Sequence, residues 1–267
     1  MNEVVLTGIG PVSAIGIGRE DFLRGVAEGR SGVTPLSLFA GEHPAAEVSG
    51  LRLDAILPSQ KTYLDRASEF ALAAAQLALN DAGLTKADYT RWSAGVVLGS
   101  EFGCLGTMQT FTSGLQQKGA RLANPLLFSH MYVNTPTSLC AIEFGLGGHH
   151  GSFAGQGAGT AALESAIEAL QLGRADLILA IGVDALSEPL YRALVAEGGH
   201  DAPIGEGACA LVLETAEFAR QRGATVRPLP QIPAGHPLLA QLGYTFAAEP
   251  FLQLAAETGK VMDRSRS

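Results

Sequence analysis

The chain alternates short, continuous apolar runs with longer segments in which apolar residues recur every three or four positions. The short runs predict strands buried on both faces, whereas the three-to-four spacing predicts amphipathic helices. The expected strands lie at residues 3–8, 94–99, 176–183 and 208–214. The expected helices lie at residues 21–28, 64–82, 136–146, 160–172, 216–222 and 250–257. This alternation is typical of an α/β protein, in which helices cover a sheet.

The helix pattern is clearest in residues 160–172. Its apolar residues follow the i, i+3, i+4, i+7 spacing from Leu163 to Leu170, and Gly173 follows as a helix stop. The pattern then changes, because residues 226–237 hold four of the 13 prolines and predict an irregular connection. The polar tail at 260–267 is expected to fray.

Composition narrows the class of protein. The 267 residues are 47% apolar and 16% charged, enough for one large domain or two small ones with a sizeable core. The formal net charge is −8 and no basic cluster occurs, which argues against a nucleic-acid partner. No apolar run reaches the roughly 18–20 residues that span a bilayer, and the first residues lack the pattern of a signal peptide. We therefore expect a cytoplasmic protein without a membrane partner.

The cysteines and histidines predict no metal, cofactor or disulfide site. The three cysteines are odd in number and widely spaced, and the six histidines lack metal-ligand spacing. Cys140 and Cys209 fall at apolar positions, where a free cysteine usually belongs to the core. Cys104 follows a predicted strand and is expected to be more accessible. The pair His149 and His150 is expected in a surface turn.

Four segments, in order, resemble the β-ketoacyl synthase branch of the thiolase-like enzymes. They are VVLTGIGPVSAIG at residues 4–16, NPLLFSHMYVNTPTSLCAIEFGLGG at 124–148, FAGQGAGTAALESAIEALQLGRADLILAIGVDALS at 153–187 and IGEGACALVLETAEFARQRGA at 204–224. The resemblance covers about residues 1–224. It implies a thiolase-like layered α-β-α fold whose first half is complete and whose second half is largely lost.

The resemblance also implies how the chain is divided. Residues 1–224 are expected to form a domain like the N-terminal half of a ketosynthase. Residues 225–242 are expected to be a proline-rich connection, and residues 243–267 a residual C-terminal segment. Helices that lie between two sheets in the family would expose apolar area here, at roughly 25 cal/mol per Å². Either the residual segment or another chain must cover that area.

The catalytic groups of the family are altered in this chain. Active members carry a nucleophilic cysteine at a tight strand-to-helix turn, and the resemblance places Gln156 at that position. A carboxamide is neutral and its nitrogen lone pair is delocalised, so it cannot form the acyl-enzyme. Of the family's two histidines, one position is matched by Tyr244 within GYTFAAEPFLQLA and the other has no counterpart. The loop that carries active-site floor residues is shortened to residues 198–207. Condensing activity is therefore not expected from the isolated chain.

Gln156 leaves three interpretations open. It resembles the glutamine of chain length factors, which are inactive partners of polyketide ketosynthases. It also resembles the glutamine of loading ketosynthases, which decarboxylate malonyl thioesters; there the amide would help to bind the thioester carbonyl, but the histidines are still needed. In the third interpretation Gln156 fills an inert pocket and the protein is a purely structural partner.

Five bulky residues are candidates for shaping an acyl tunnel at a subunit interface: Phe102, Met108, Phe111, Leu127 and Met131. In the family, the stretches around Phe102 and Leu127 approach the dimer interface and the partner's tunnel. Bulky side chains there would block a growing chain by their volume. Ordinary core packing is the competing interpretation.

The first interpretation is the one that we favour. The resemblance implies a chain length factor that forms a heterodimer with an active ketosynthase in a type II polyketide system, with an aryl-polyene-like pathway as its context. The partner would supply the cysteine and histidines. The acyl carrier protein would be reached through the complex.

Overall fold

The computed structural model describes residues 1–59, 61–197, 203–232 and 234–264. Part of the shortened loop, residues 198–202, and the end of the tail, residues 265–267, lie outside the described residues. The strands are β1 (Val4–Ser13), β2 (Gly16–Ile17), β3 (Val33–Thr34), β4 (Ala45–Ala46), β5 (Ala94–Ser100), β6 (His150–Ala154), β7 (Leu177–Asp184), β8 (Ile204–Gly205) and β9 (Gly207–Thr215). The helices are α1 (Arg19–Ala27), α2 (Leu53–Ile56), α3 (Arg66–Asp81), α4 (Leu105–Lys118), α5 (Pro125–His130), α6 (Thr135–Phe144), α7 (Ala158–Gln171), α8 (Glu188–Ala196), α9 (Ala216–Gln221), α10 (Leu239–Leu242) and α11 (Glu249–Arg264).

The main sheet has six strands in the order β2-β1-β9-β7-β5-β6. Strand β9 is antiparallel to both β1 and β7, whereas β5 is parallel to both β7 and β6. Strand β6 therefore forms one edge of this sheet. A second sheet has three short strands in the order β3-β4-β8.

Helices cover both faces of the main sheet. In β7, Leu179 and Ile181 belong to the core under α3 and α6, whereas Ile178 and Ala180 belong to the core under α1, α7 and α11. Because successive side chains of a strand point to opposite faces, both sets must be apolar. This explains the continuous apolar runs in the sequence and confirms the predicted layered α-β-α fold.

Strand β1 is longer than the predicted strand at residues 3–8. Gly8 and Gly10 lie inside the strand, which continues to Ser13. A Cβ atom at Gly8 would lie 2.3 Å from the Ala78 carbonyl oxygen, and one at Gly10 would lie 2.0 Å from the Ala74 carbonyl oxygen. These glycines therefore allow helix α3 to pack directly on the strand.

The C-terminal helix α11 covers the apolar face that the sequence analysis expected either the residual segment or another chain to cover. Phe251, Leu252, Leu254 and Ala255 are fully or almost fully buried in the core that also contains residues of α1, α7, β1 and β9. Burying each of the large apolar side chains stabilises the fold by about 1.5–3 kcal/mol. The residual segment thus supplies this cover within the chain itself. The proposed division at residues 224 and 242 stays a prediction.

Helix α4 and strand β6 were not predicted as separate elements. Helix α4 has no buried residue, and β6 has alternating exposed and half-buried positions. Elements that are not packed into the core leave little apolar periodicity in a sequence. The expectation of a surface turn at His149 and His150 was wrong for His150, which is the first residue of β6.

A buried carboxylate joins the ends of two strands to the C-terminal segment. Asp184, the last residue of β7, accepts hydrogen bonds from the Ser100 hydroxyl at 2.8 Å and from the backbone N–H groups of Phe102 at 3.0 Å and Glu101 at 3.1 Å. It also accepts one from the Ala247 N–H at 3.0 Å. Burial raises the pKa of Asp184 to about 6, and the four hydrogen bonds oppose that shift.

Replacing this carboxylate should destabilise the protein. We expect Asp184→Ala to lower the free energy of unfolding by at least about 3 kcal/mol, because several buried donors would lose their acceptor. Urea unfolding followed by circular dichroism measures this. Asp176→Ala, which removes the same group from an exposed position, is the matched control and should cost less than about 0.5 kcal/mol. Equal midpoints for the two variants would contradict the assigned role.

Candidate functional site

Gln156 lies on a tight turn between β6 and α7. The glycines on either side of it, Gly155 and Gly157, have φ angles of 88° and 78°. Such left-handed backbone favours glycine and reverses the chain within a few residues. The side chain of Gln156 is exposed. The structure therefore has the strand-to-helix turn that the sequence predicts, with a carboxamide at its tip.

A pocket of about 320 Å³ opens beside this turn. One side, which we call the helix wall, contains Glu101, Gln156, Gly157, Gly159 and Thr160. The C-terminal part of the chain contributes a second set of lining residues, which we call the far wall: His236, Tyr244, Phe246, Glu249 and Gln253. The two residues predicted at catalytic positions of the family, Gln156 and Tyr244, thus line the same pocket.

The N-terminus of α7 faces a carboxylate. Glu101, which follows β5, accepts a hydrogen bond from the Gly157 N–H at 3.3 Å. A negative group is stabilised at this end of a helix by the unpaired N–H groups and the helix dipole. Burial raises the pKa of Glu101 and nearby Glu249 raises it further, whereas the bond from Gly157 lowers it. Glu101 therefore places a carboxylate beside the N-terminus of α7.

The far wall contains a histidine that sequence reasoning missed. The Nδ1 atom of His236 is hydrogen-bonded to Glu249, and the two rings of His236 and Tyr244 meet edge to face with their centroids 5.4 Å apart. His236 belongs to the proline-rich connection and lies 13 positions before its carboxylate partner. That spacing has no helical or strand periodicity, so the sequence gives no signal for the pair.

The carboxylates also affect the other titratable groups of the far wall. Burial raises the pKa of Glu249, and its bonds to His236 and Gln253 lower it. The pKa of Tyr244 is raised first by burial and then by the negative charges of Glu101 and Glu249. Two carboxylates therefore act on one small pocket, and they would repel a ligand that carries its own carboxylate.

A row of aromatic rings connects Phe102 to the pocket. The Phe102 and Phe246 rings pack edge to face at 4.9 Å, and the Phe246 and Tyr244 rings do the same at 4.9 Å. Phe246 and Tyr244 line the pocket, whereas Phe102 stands behind them. Phe102 thus supports the far wall.

The other four tunnel candidates lie apart from this pocket. Met108 and Phe111 are on α4, Leu127 is on α5, and Met131 follows α5 directly. They belong to an exposed pair of helices, residues 105–132, which we call the α4–α5 arm. Its apolar side chains include several that are more than a third exposed: Met108, Leu115, Leu122, Leu126, Phe128 and Tyr132.

No cysteine lines the pocket within the described residues. Cys104 is 1% exposed, which corrects the expectation that it is accessible, and its sulfur contacts the Ser68 hydroxyl at 3.7 Å. Burial, followed by the charge of Asp65, raises the pKa of the Cys104 thiol to about 12. Cys140 and Cys209 are fully buried, as predicted, and burial raises their pKa values too. These thiols stay protonated at neutral pH and are poor nucleophiles.

Metal-binding clusters and membrane-spanning helices are both absent from the part of the chain that the structure describes. No group of three or more His, Cys, Asp or Glu side chains there is arranged to hold a metal ion. None of the described helices is both long enough and apolar enough to cross a bilayer.

Comparison with known proteins identifies relatives of this fold and site. The sequence model of the β-ketoacyl synthase N-terminal domain family matches residues 1–210. A curated relative, 3-oxoacyl-[acyl-carrier-protein] synthase 2 of Synechocystis sp., is 28% identical over 250 residues, which cover 84% of this chain and 60% of that protein. The chain therefore spans about 60% of the length of such relatives.

Two solved structures, described as ketosynthase-type proteins, superpose on this chain. The ishigamide ketosynthase/chain length factor superposes with a TM-score of 0.76 at 27% identity, over 84% of this chain and 61% of that one. A β-ketoacyl synthase from Burkholderia phymatum STM815 superposes with a TM-score of 0.73 at 27% identity, over 85% of this chain and 62% of that one.

The burial of the cysteines can be tested by thiol titration. We expect the native protein at pH 8 to react with Ellman's reagent at none of its three thiols within minutes, and all three to react after denaturation in guanidinium chloride. Gln156→Cys is the positive control, because it adds a thiol at an exposed position and should give one rapid equivalent. Rapid reaction of a thiol in the unmodified native protein would contradict the structure.

Proposed function

Because the chain belongs to the β-ketoacyl synthase family, we propose that it is a non-condensing chain length factor that pairs with an active ketosynthase. The observation that carries the proposal is the exposed carboxamide of Gln156 at the turn between β6 and α7. A carboxamide cannot take an acyl group as a thioester. The described cysteines are buried elsewhere, so none replaces it.

Two exposed features support pairing with another subunit. Strand β6 is a sheet edge, and a strand at an edge presents unpaired backbone groups to which another chain can add. The α4–α5 arm carries an aromatic cluster in which the Phe111 and Phe128 rings lie 5.5 Å apart and the Phe128 and Tyr132 rings lie 5.2 Å apart. Grouped, exposed apolar side chains are typical of interaction surfaces.

The same partner would supply the chemistry that this chain lacks. One similar structure is described as a ketosynthase/chain length factor, and this likeness favours a ketosynthase as the occupant of the exposed surface. The acyl carrier protein would then be engaged through the complex. A type II polyketide pathway of the aryl-polyene kind remains our proposed context, on the resemblance described above.

The proposed influence on product length rests on side-chain volume. Phe102, Phe246 and Tyr244 form a packed aromatic row, and the α4–α5 arm carries Met108, Phe111, Leu127 and Met131 near the proposed interface. An acyl chain that grows towards closely packed rings meets a steep cost for each added methylene. We propose that these residues limit how far a chain in the partner's tunnel can extend.

A second candidate function is decarboxylation of a malonyl thioester. His236 favours it, because an imidazole now lies across the pocket from Gln156. The two carboxylates Glu101 and Glu249 oppose it, because a malonyl group brings a further negative charge into the same pocket. The balance of charge makes this function less favoured than that of a partner subunit.

Association can be tested with a charge placed on the arm. We expect Phe128→Glu to weaken binding to a purified ketosynthase from the same organism by at least about tenfold, because loss of a buried aromatic anchor commonly costs about 2 kcal/mol or more. Leu172→Glu is the matched control: Leu172 is 50% exposed, Phe128 is 47% exposed, and Leu172 lies just beyond α7. Sedimentation velocity gives the dissociation constants of the Phe128→Glu and Leu172→Glu variants from the ketosynthase. An unmodified chain that stays monomeric beside the ketosynthase would refute the proposal.

Product length can be tested at Phe102. In the reconstituted complex we expect Phe102→Ala to shift the products towards chains longer by one or more extender units, because removal of the ring leaves space behind the far wall. Mass spectrometry of the released chains measures the shift. Phe39→Ala, which removes a partly buried ring that packs instead on Tyr191, controls for general destabilisation. An unchanged distribution in Phe102→Ala would remove this residue from the site.

A further inference from the structure

The histidine of the far wall is held by a network of hydrogen bonds. Glu249 contacts Nδ1 of His236 and also accepts a hydrogen bond from the Gln253 side-chain nitrogen at 3.0 Å. The same nitrogen donates to the Gly235 carbonyl oxygen at 3.1 Å. Contact with the Tyr244 ring restricts the imidazole further. Two contacts therefore restrain the ring directly, one at Nδ1 and one against the Tyr244 ring, and Gln253 holds the carboxylate that makes the first of them.

This arrangement is that of a general base with its positioning carboxylate. A carboxylate at Nδ1 keeps the proton on that nitrogen, leaves the lone pair of Nε2 available, and stabilises the imidazolium that forms when Nε2 takes a proton. The exposed fractions suit the two roles, since the side chain of His236 is 49% exposed and that of Glu249 is 12% exposed. The base is open to water and ligand, whereas its positioning group is shielded.

The helix wall offers groups that can stabilise negative charge. Gly159 and Thr160 are in the first turn of α7, where backbone N–H groups have no partner within the helix, and both residues line the pocket. Hydrogen-bond donors and a helix N-terminus stabilise an oxyanion when they face the oxygen on which its charge develops. The carboxamide of Gln156 lies on the same wall.

From these two walls we infer that the pocket hydrolyses neutral acyl thioesters. His236 acts as the general base for water and Glu249 as its positioning residue. The inference goes beyond pairing with a ketosynthase, and it rests on the proposed function only for the choice of a thioester as the ligand. It requires no acyl-enzyme, so the replacement of cysteine by Gln156 is compatible with it.

The step balances without a further reactant. Nε2 of His236 takes a proton from water while the water oxygen forms a bond to the thioester carbonyl carbon. The carbon–sulfur bond of the tetrahedral intermediate then breaks, and the departing sulfur receives the proton from His236. The products are a carboxylic acid and a thiol, with no oxidation or reduction.

The charge of the pocket selects among thioesters. Glu101 and Glu249 repel an acyl group that carries its own carboxylate, whereas a neutral acyl group meets no such cost. Neutral acyl thioesters are therefore the substrate class, and malonyl thioesters are excluded by like charge.

The test uses the full chain and the butyryl thioester of N-acetylcysteamine, with thiol release followed by Ellman's reagent. We expect His236→Gln to lower the rate by about 100-fold or more, since general-base catalysis contributes about 10²–10⁴-fold. His43→Gln, which changes an exposed histidine outside the pocket, should retain the full rate. Free imidazole should increase the hydrolysis rate of His236→Ala by a larger factor than it increases the rate of the His43→Gln control.

Glu249→Gln distinguishes positioning from folding. We expect it to lower kcat with little change in KM, because a neutral amide no longer holds the proton on Nδ1, and its circular dichroism spectrum should match that of the unmodified chain. An unmodified chain no faster than the same concentration of imidazole, or a His236→Gln variant at full rate, would overturn the inference. Carbon dioxide release from the malonyl thioester at a higher rate than butyryl hydrolysis would overturn it as well.

The outcomes separate this inference from the proposed function. A chain that binds the ketosynthase in sedimentation velocity but releases no thiol overturns the hydrolysis alone. A chain that hydrolyses the butyryl thioester, loses that activity in His236→Gln and stays unpaired supports the hydrolysis and overturns the partner role.

Discussion

The position of the pocket depends on the buried carboxylate of Asp184. Its four hydrogen bonds reach both walls: the N–H groups of Glu101 and Phe102 belong to the end of β5, and the N–H of Ala247 belongs to the C-terminal segment. A buried carboxylate is tolerated only where donors surround it, so its partners are held together as a group. The gap between the helix wall and the far wall is set by this one side chain.

Close backbone contact makes that arrangement possible. A Cβ atom at Gly159 would lie 2.2 Å from the Ala247 carbonyl oxygen, and one at Gly182 would lie 2.3 Å from it. Only glycine at both positions lets the segment that carries Tyr244 and Phe246 lie flat against α7 and β7. The deep burial of α11 then holds the segment there, so packing and hydrogen bonding specify the same geometry.

The sequence predicted most of the buried elements of this fold and missed several exposed ones. Strands β5, β7 and β9 are continuous apolar runs because both faces of the sheet are covered, and α7 has a clean helical period because one face packs on the sheet. The α4–α5 arm and strand β6 are exposed, so no burial pattern marks them. The family resemblance placed Gln156 on a tight turn. In the structure, the left-handed backbone of Gly155 and Gly157 forms that turn. His236 was missed, because its contact with Glu249 exists only once the C-terminal segment has folded onto the sheet.

The loss of the cysteine is only one of several linked changes in the pocket. In an active family member the positive end of the helix stabilises a thiolate. Here Glu101 accepts the Gly157 N–H, and Glu249 adds a second carboxylate across a pocket of about 320 Å³. A thiolate at position 156 would meet two like charges, and these would oppose its ionisation. The electrostatics of the pocket therefore disfavour covalent chemistry through a thiolate at position 156.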